Sequence, residues 1–256
     1  MPKNNDWTRK EHILAFNLYC KIPFTKINEN YPPIKELAKI IGRTNGSVAM
    51  KMANFARLDP ALQARNVSGL SRGAKGEVEV WNEFNTNWNN LAYESELILA
   101  EYSGIPVEEH INIVEEQILV NGYDREAIVR LRVNQDFFRK SVLGSYNYKC
   151  CITGLAIPQL LVAGHIVPWA VDTENRTNPS NGLCMNALFD KAYDRGLITI
   201  NTDYQIIISE EIIDNEHKNG TTFFSPFHSK KIIPPQKFFP KKEFLEYHLN
   251  TIFKKG

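Results

Sequence analysis

Three short runs hold the residues of this chain best suited to chemistry: Ala163-Gly164-His165-Ile166-Val167-Pro168-Trp169, Asn178-Pro179-Ser180-Asn181-Gly182-Leu183 and Phe189-Asp190-Lys191-Ala192-Tyr193-Asp194. They set one histidine, one asparagine and two carboxylates close together along the sequence. An imidazole titrates near neutral pH and can take a proton from water. Carboxylates are natural ligands for a hard divalent cation, which neutralises charge on a phosphate and on a departing oxygen. A base and a cation around one phosphate are what phosphodiester hydrolysis needs. Asn181, with two amide donors and an acceptor, can tie the segments together. Singly, each of these residues is more often structural; the ordered combination is far more specific.

The elements that must position them are short. The apolar run Leu160 to Ala163 reads as a strand with His165 at its exit, and Pro168 prevents regular continuation. Asn178 to Gly182 reads as a turn. The spacing predicts a helix from Leu183 in which Asp190 and Asp194, four apart, share one face. Upstream, Ala127 to Val133 alternates and predicts a strand, and Asp136 to Tyr146 predicts a helix burying Phe137, Phe138, Val142 and Leu143. Downstream, Leu197–Ile200 and Gln205–Ile208 flank Asn201-Thr202-Asp203 as a hairpin. A last helix carries Phe244, Leu245, Leu249 and Ile252. Arg139 and Arg176 have the forked donors that suit phosphate contact.

From about Arg132 to Ile200 the chain resembles the HNH nuclease family, in its restriction-endonuclease-like branch. The resemblance rests on Arg132-Val133-Asn134-Gln135 with Phe138-Arg139, on Tyr146 and Cys151-Ile152-Thr153-Gly154, and on His165-Ile166-Val167-Pro168-Trp169. It continues through Arg176-Thr177-Asn178-Pro179-Ser180-Asn181-Gly182-Leu183 and Asp190-Lys191-Ala192-Tyr193-Asp194-Arg195-Gly196-Leu197-Ile198. It implies a ββα-metal fold, with His165 as general base and Asn181 as the family's asparagine. It also implies metal ligation by Asp190 and Asp194, with Mg²⁺, or alternatively Mn²⁺, as the cofactor in a DNA hydrolysis that leaves a 5′-phosphate. The chain departs from the family twice. Gly164 stands where many members carry an acidic residue or histidine, and Asp190 stands where the last histidine usually falls.

The N-terminal part reads as helical. Ile13, Phe16 and Cys20 have helical spacing, as do Ile34, Leu37, Ala38 and Ile41. Gly42-Arg43 forms a turn, Thr44 is a good N-cap, and a third helix buries Val48, Met52 and Phe55. This is a helix-turn-helix shape, and Arg43, Thr44, Ser47, Lys51, Asn54 and Arg57 become its candidate DNA contacts. Residues 1–75 carry thirteen Lys and Arg against five Asp and Glu, whereas residues 76–135 carry three against twelve. The basic head is a candidate polyanion footprint, and the acidic helical stretch Glu77 to Tyr102 is expected to be an arm with a solvated face.

The expected architecture is therefore α+β. It has a helical DNA-reading domain over 1–65, a linker and acidic arm over 66–120, and a nuclease domain over 121–256 with an added hairpin and helix. The polar start and the lack of a long apolar run predict no signal peptide and no membrane partner. Four cysteines without CxxC spacing fit a reducing, cytoplasmic setting. The partner expected is double-stranded DNA, with a homodimer possible and restriction or defence as the simplest role. The alternatives are a DNA-binding regulator with an inactive nuclease fold, and a structure-specific or RNA nuclease.

Overall fold

The structure, a computed structural model, describes residues 6–65, 73–110 and 125–255. Most of the expected linker and the acidic stretch from residue 111 lie outside the described residues. The chain forms two compact units, Met1–Ser141 and Val142–Gly256.

The first unit is helical. Helix α1 (Arg9–Lys21) starts in a capping box: Thr8 Oγ1 accepts from the Glu11 amide at 3.2 Å, and Glu11 returns a carboxylate oxygen to the Thr8 amide at 2.8 Å. Helices α2 (Pro32–Ile41) and α3 (Asn45–Ala56) meet across Gly42, and Thr44 caps α3 as its sequence predicts. α4 (Pro60–Gln63), α5 (Lys75–Phe84), α6 (Trp88–Ser103) and α7 (Val107–His110) follow. Phe16 of α1 sits at the centre, with ring centroids 4.8 Å from Phe55, 5.2 Å from Trp81 and 6.1 Å from Trp88.

The acidic stretch forms α5 and α6 of this unit, with Glu79, Glu83 and Glu101 exposed but Glu77 and Glu96 buried. Its carboxylates pair with the basic head: Glu83 and Glu94 with Arg9, Glu101 with Lys10, and Glu96 with Lys21 at 3.0 Å. Fully buried Glu77 accepts from Lys51 Nζ at 2.6 Å, Asn54 Nδ2 at 3.0 Å and Arg57 Nη2 at 3.2 Å. Burial alone would raise its pKa, but these donors hold it below the usual carboxylate range.

Helix α8 (Arg125–Ser145) replaces the expected strand at Ala127–Val133 and absorbs the helix expected after it. The alternation there is incidental. Val129, Val133 and Phe137 recur every four residues and are buried, whereas Leu131, which a strand would bury beside them, is 41% exposed.

The second unit places strand β1 (Leu161–His165) antiparallel to β2 (Gly182–Asn186), with Ala163 opposite Cys184 and His165 opposite Gly182. The helix expected from Leu183 begins only at Ala187, because residues 183–185 are spent on pairing with β1. Asn186 then caps α9 (Ala187–Asp194), its Oδ1 accepting from the amides of Leu188 and Phe189. The hairpin β3 (Ile198–Ile200) and β4 (Ile206–Ile208) follows, then α10 (Glu210–Asn219) and α11 (Lys242–Tyr247), which runs into a π turn at His248–Ile252. Gly196, at φ 70°, is required: a Cβ there would collide with the carbonyl of Ile252. The four cysteines are buried, and no described helix is long and apolar enough to cross a membrane.

Two buried groups give measurable consequences. Glu77→Gln leaves Lys51 and Arg57 without their anion and is expected to cost about 3 kcal/mol, read as a lowered denaturant midpoint. His248 stacks on Tyr193, donates from Nε2 to the Tyr193 carbonyl at 3.2 Å and accepts the Thr199 hydroxyl at Nδ1, 2.8 Å away. Burial lowers its pKa to about 4, against the opposing pull of that carbonyl. The unfolded imidazole protonates near 6.5, so between there and 4 only the unfolded chain gains this proton. Stability is therefore full above that window and falls as pH drops through it, by up to about 1.4 kcal/mol per unit. His248→Gln should flatten this part of the denaturation profile.

Candidate functional site

His165 leaves β1 half-buried. Its Nε2 lies 2.8 Å from the carbonyl oxygen of Arg176. A carbonyl only accepts, so Nε2 carries the proton and the neutral ring presents its lone pair at Nδ1. Burial lowers the pKa of His165, opposed by the Arg176 carbonyl and the charge of Asp194, so the ring is a neutral base at physiological pH.

Beyond His165 the two strands part, and Asn181 takes over. Its carbonyl accepts from Ile166 N at 2.9 Å. Its side chain, wholly buried, accepts from Val167 N at 2.8 Å and donates to Val167 O at 3.2 Å and Asn175 O at 3.3 Å. Asn181 holds the loop that follows His165; it does not border the cavity that His165 lines.

That cavity, of about 300 Å³, is lined by Gly164, His165, Trp169, Asp190, Asp194 and the C-terminal His248, among others. His165 and both helix carboxylates thus border one cavity. Asp190 Oδ1 is buried without a hydrogen-bond partner. Burial first, then the charge of Asp194, pushes the Asp190 pKa up to about 6, against the pull of Lys191. Gly164 makes room for this carboxylate: a Cβ at 164 would run into Asp190 Oδ1. The bare position at 164 and the carboxylate at 190 thus share one space.

Among the described residues no group of three or more His, Cys, Asp and Glu is placed to hold a metal. Two carboxylates on one helix face and an orphaned buried oxygen nonetheless fit Mg²⁺, which keeps several waters and commonly takes only one or two protein carboxylates beside substrate phosphate.

The other expected contacts fall elsewhere. Arg43 pairs with Glu11 at 2.9 Å and lies over the Trp7 ring. Thr44 is an exposed cap, and Ser47 sits half-buried in the first turn of α3. The outward reading face expected on α3 is corrected: Lys51 and Asn54 are buried and, with Arg57, spend their donors on Glu77. The basic charge of residues 1–75 is balanced within its own unit. Arg139 is exposed beside a separate cleft of the first unit, with Arg132 and Lys140. Arg176 is engaged with Trp169. Sequence reading missed Trp169 and His248 as cavity walls. The His165–Trp169 spacing hinted at the first; no local pattern marks the second.

Residues 150–201 match the family model described as HNH endonuclease. This segment is similar to HNH endonuclease domains. The match covers about a fifth of the chain and spans His165, Asn181 and both aspartates. No curated protein matches the chain. The HNH segment implies hydrolytic nuclease activity on nucleic acid.

Gly164→Ala tests the packing. The atom in the way is the end of a side chain, so Asp190 is expected to swing aside at a cost below about 1 kcal/mol. The melting temperature should stay near that of the parent, while the Asp190 carboxyl resonance shifts as the group becomes solvated.

Proposed function

We propose that the second unit is a metal-dependent endonuclease that hydrolyses phosphodiester bonds of double-stranded DNA. The observation that carries this reading is the sharing of one cavity by His165, Asp190 and Asp194. His165 takes the proton of the attacking water at Nδ1, the nitrogen left basic by the Arg176 hydrogen bond. Asp190 and Asp194 hold one divalent cation, Mg²⁺ or Mn²⁺, which when bound supplies charge neutralisation at the phosphate and leaving oxygen. Asn181 fixes the loop after the base through Val167. Duplex DNA and a restriction or defence role rest on the family resemblance.

The test is cleavage of plasmid and genomic DNA, methylated and unmethylated, with Mg²⁺ or Mn²⁺, alongside branched DNA and RNA. The parent should cut duplex DNA and stop on chelation. His165→Ala should lose about 10²- to 10⁴-fold in rate, and Asp190→Asn should lose metal-supported activity. Parental cutting by both variants would overturn the assignment.

One observation favours a second reading, a DNA-binding regulator with an inactive nuclease fold: the described residues offer no three-ligand cluster. Calorimetry separates the two. The nuclease predicts a Mn²⁺ site that Asp190→Ala abolishes; the regulator predicts none in the parent.

A further inference from the structure

The loop between β1 and β2 contains three contacts that close on one another. His165 Nε2–H donates to the Arg176 carbonyl at 2.8 Å. Arg176 Nε–H donates to the Trp169 carbonyl at 2.8 Å, and its guanidinium carbon lies 5.0 Å from the Trp169 ring centroid. The Trp169 ring meets the His165 ring edge-on, with centroids 5.5 Å apart and planes at 84°. Each of the three residues thus touches the other two.

We propose that Arg176 is a positioning residue for His165: its side chain ties its own carbonyl to Trp169 and thereby sets which imidazole nitrogen carries the proton. The carbonyl that fixes the tautomer sits on a loop, eleven residues beyond the histidine. Nothing in strand pairing holds it, because the β1–β2 ladder ends at His165 and Gly182. Arg176 spans the loop's neck. Its Nε anchors one side through a backbone carbonyl, and its planar face rests on the indole that buttresses the imidazole. Without the guanidinium, the 176 carbonyl loses its tether to residue 169, the donor at Nε2 loses a fixed acceptor, and both neutral tautomers become populated. Only one of them offers Nδ1 as a base.

The far side of the loop has its own support. Asp172 accepts from the Asn175 amide and side chain at 3.0 and 2.8 Å, and Asn178 donates to Asn175 at 2.8 Å. Loss of the Arg176 side chain should therefore change the histidine without unfolding the unit. The effect on cutting rests on the nuclease reading; the effect on the imidazole does not.

The experiment uses the full chain as parent, Arg176→Ala and Arg176→Gln. Two-bond ¹H–¹⁵N spectra report which nitrogen of His165 is protonated, and steady-state cleavage is measured beside them. The parent should show the Nε2–H tautomer alone. Arg176→Ala should show a tautomer mixture, with kcat reduced about 10- to 100-fold and KM within about threefold of the parent. Arg176→Gln can still donate to the Trp169 carbonyl without a charge, and should recover the tautomer and most of kcat. The proposal is overturned if Arg176→Ala keeps the parental tautomer. It is also overturned if Arg176→Gln is as impaired as Arg176→Ala, with the loss in KM and in the salt slope; Arg176 would then be a phosphate contact. Should the parent cut no nucleic acid, the nuclease reading fails, and the spectra alone still decide the role of Arg176.

Discussion

The second unit depends on what a single buried amide does where a β-ladder runs out. Past His165 the chain meets Pro168, which cannot continue a strand, yet the segment between them is held as if pairing went on. The side chain of Asn181 supplies the missing pairing by imitating a peptide group, giving Val167 one acceptor and one donor. An aspartate could not donate and a leucine could do neither, so the requirement is chemical as well as steric. Once Val167 is gripped, the residues after it are free to form a compact loop, and that loop brings a carbonyl back to the histidine.

The first unit follows a different economy. Its strong charge segregation along the sequence is the signature of helices that pair with one another across the fold. Basic α1 and α3 meet acidic α5 and α6, and the deepest such meeting is around buried Glu77. A sequence-local net charge therefore says little about the field this unit presents to solvent. The residues that would have read DNA on α3 serve as internal ties.

Much of this was legible in sequence where the rule is local. The cap at Thr44, the turn at Gly42, the apolar periodicity of α2 and the β3–β4 hairpin all depend on neighbours within a few residues. The shared cavity of His165, Asp190 and Asp194 could be anticipated because their ordered spacing is itself the signal. What failed depended on partners distant in sequence. Residues 127–133 satisfy a strand pattern and a helix pattern equally well, and packing of Val129 and Val133 chose the helix. The start of α9 was displaced because β1, some twenty residues upstream, claims Leu183 to Met185 for pairing. Lys51 was misplaced because its anion lies 26 residues away.

The close approach of Gly164 and Asp190 ties a strand position to a helix position. The volume a side chain would fill on the strand is already occupied by a carboxylate from the helix, so a side chain added at 164 must displace that carboxylate. An acid gained at 164 while Asp190 remains would crowd two like charges into one niche; an acid lost at 190 while 164 stays bare would leave the niche without any oxygen.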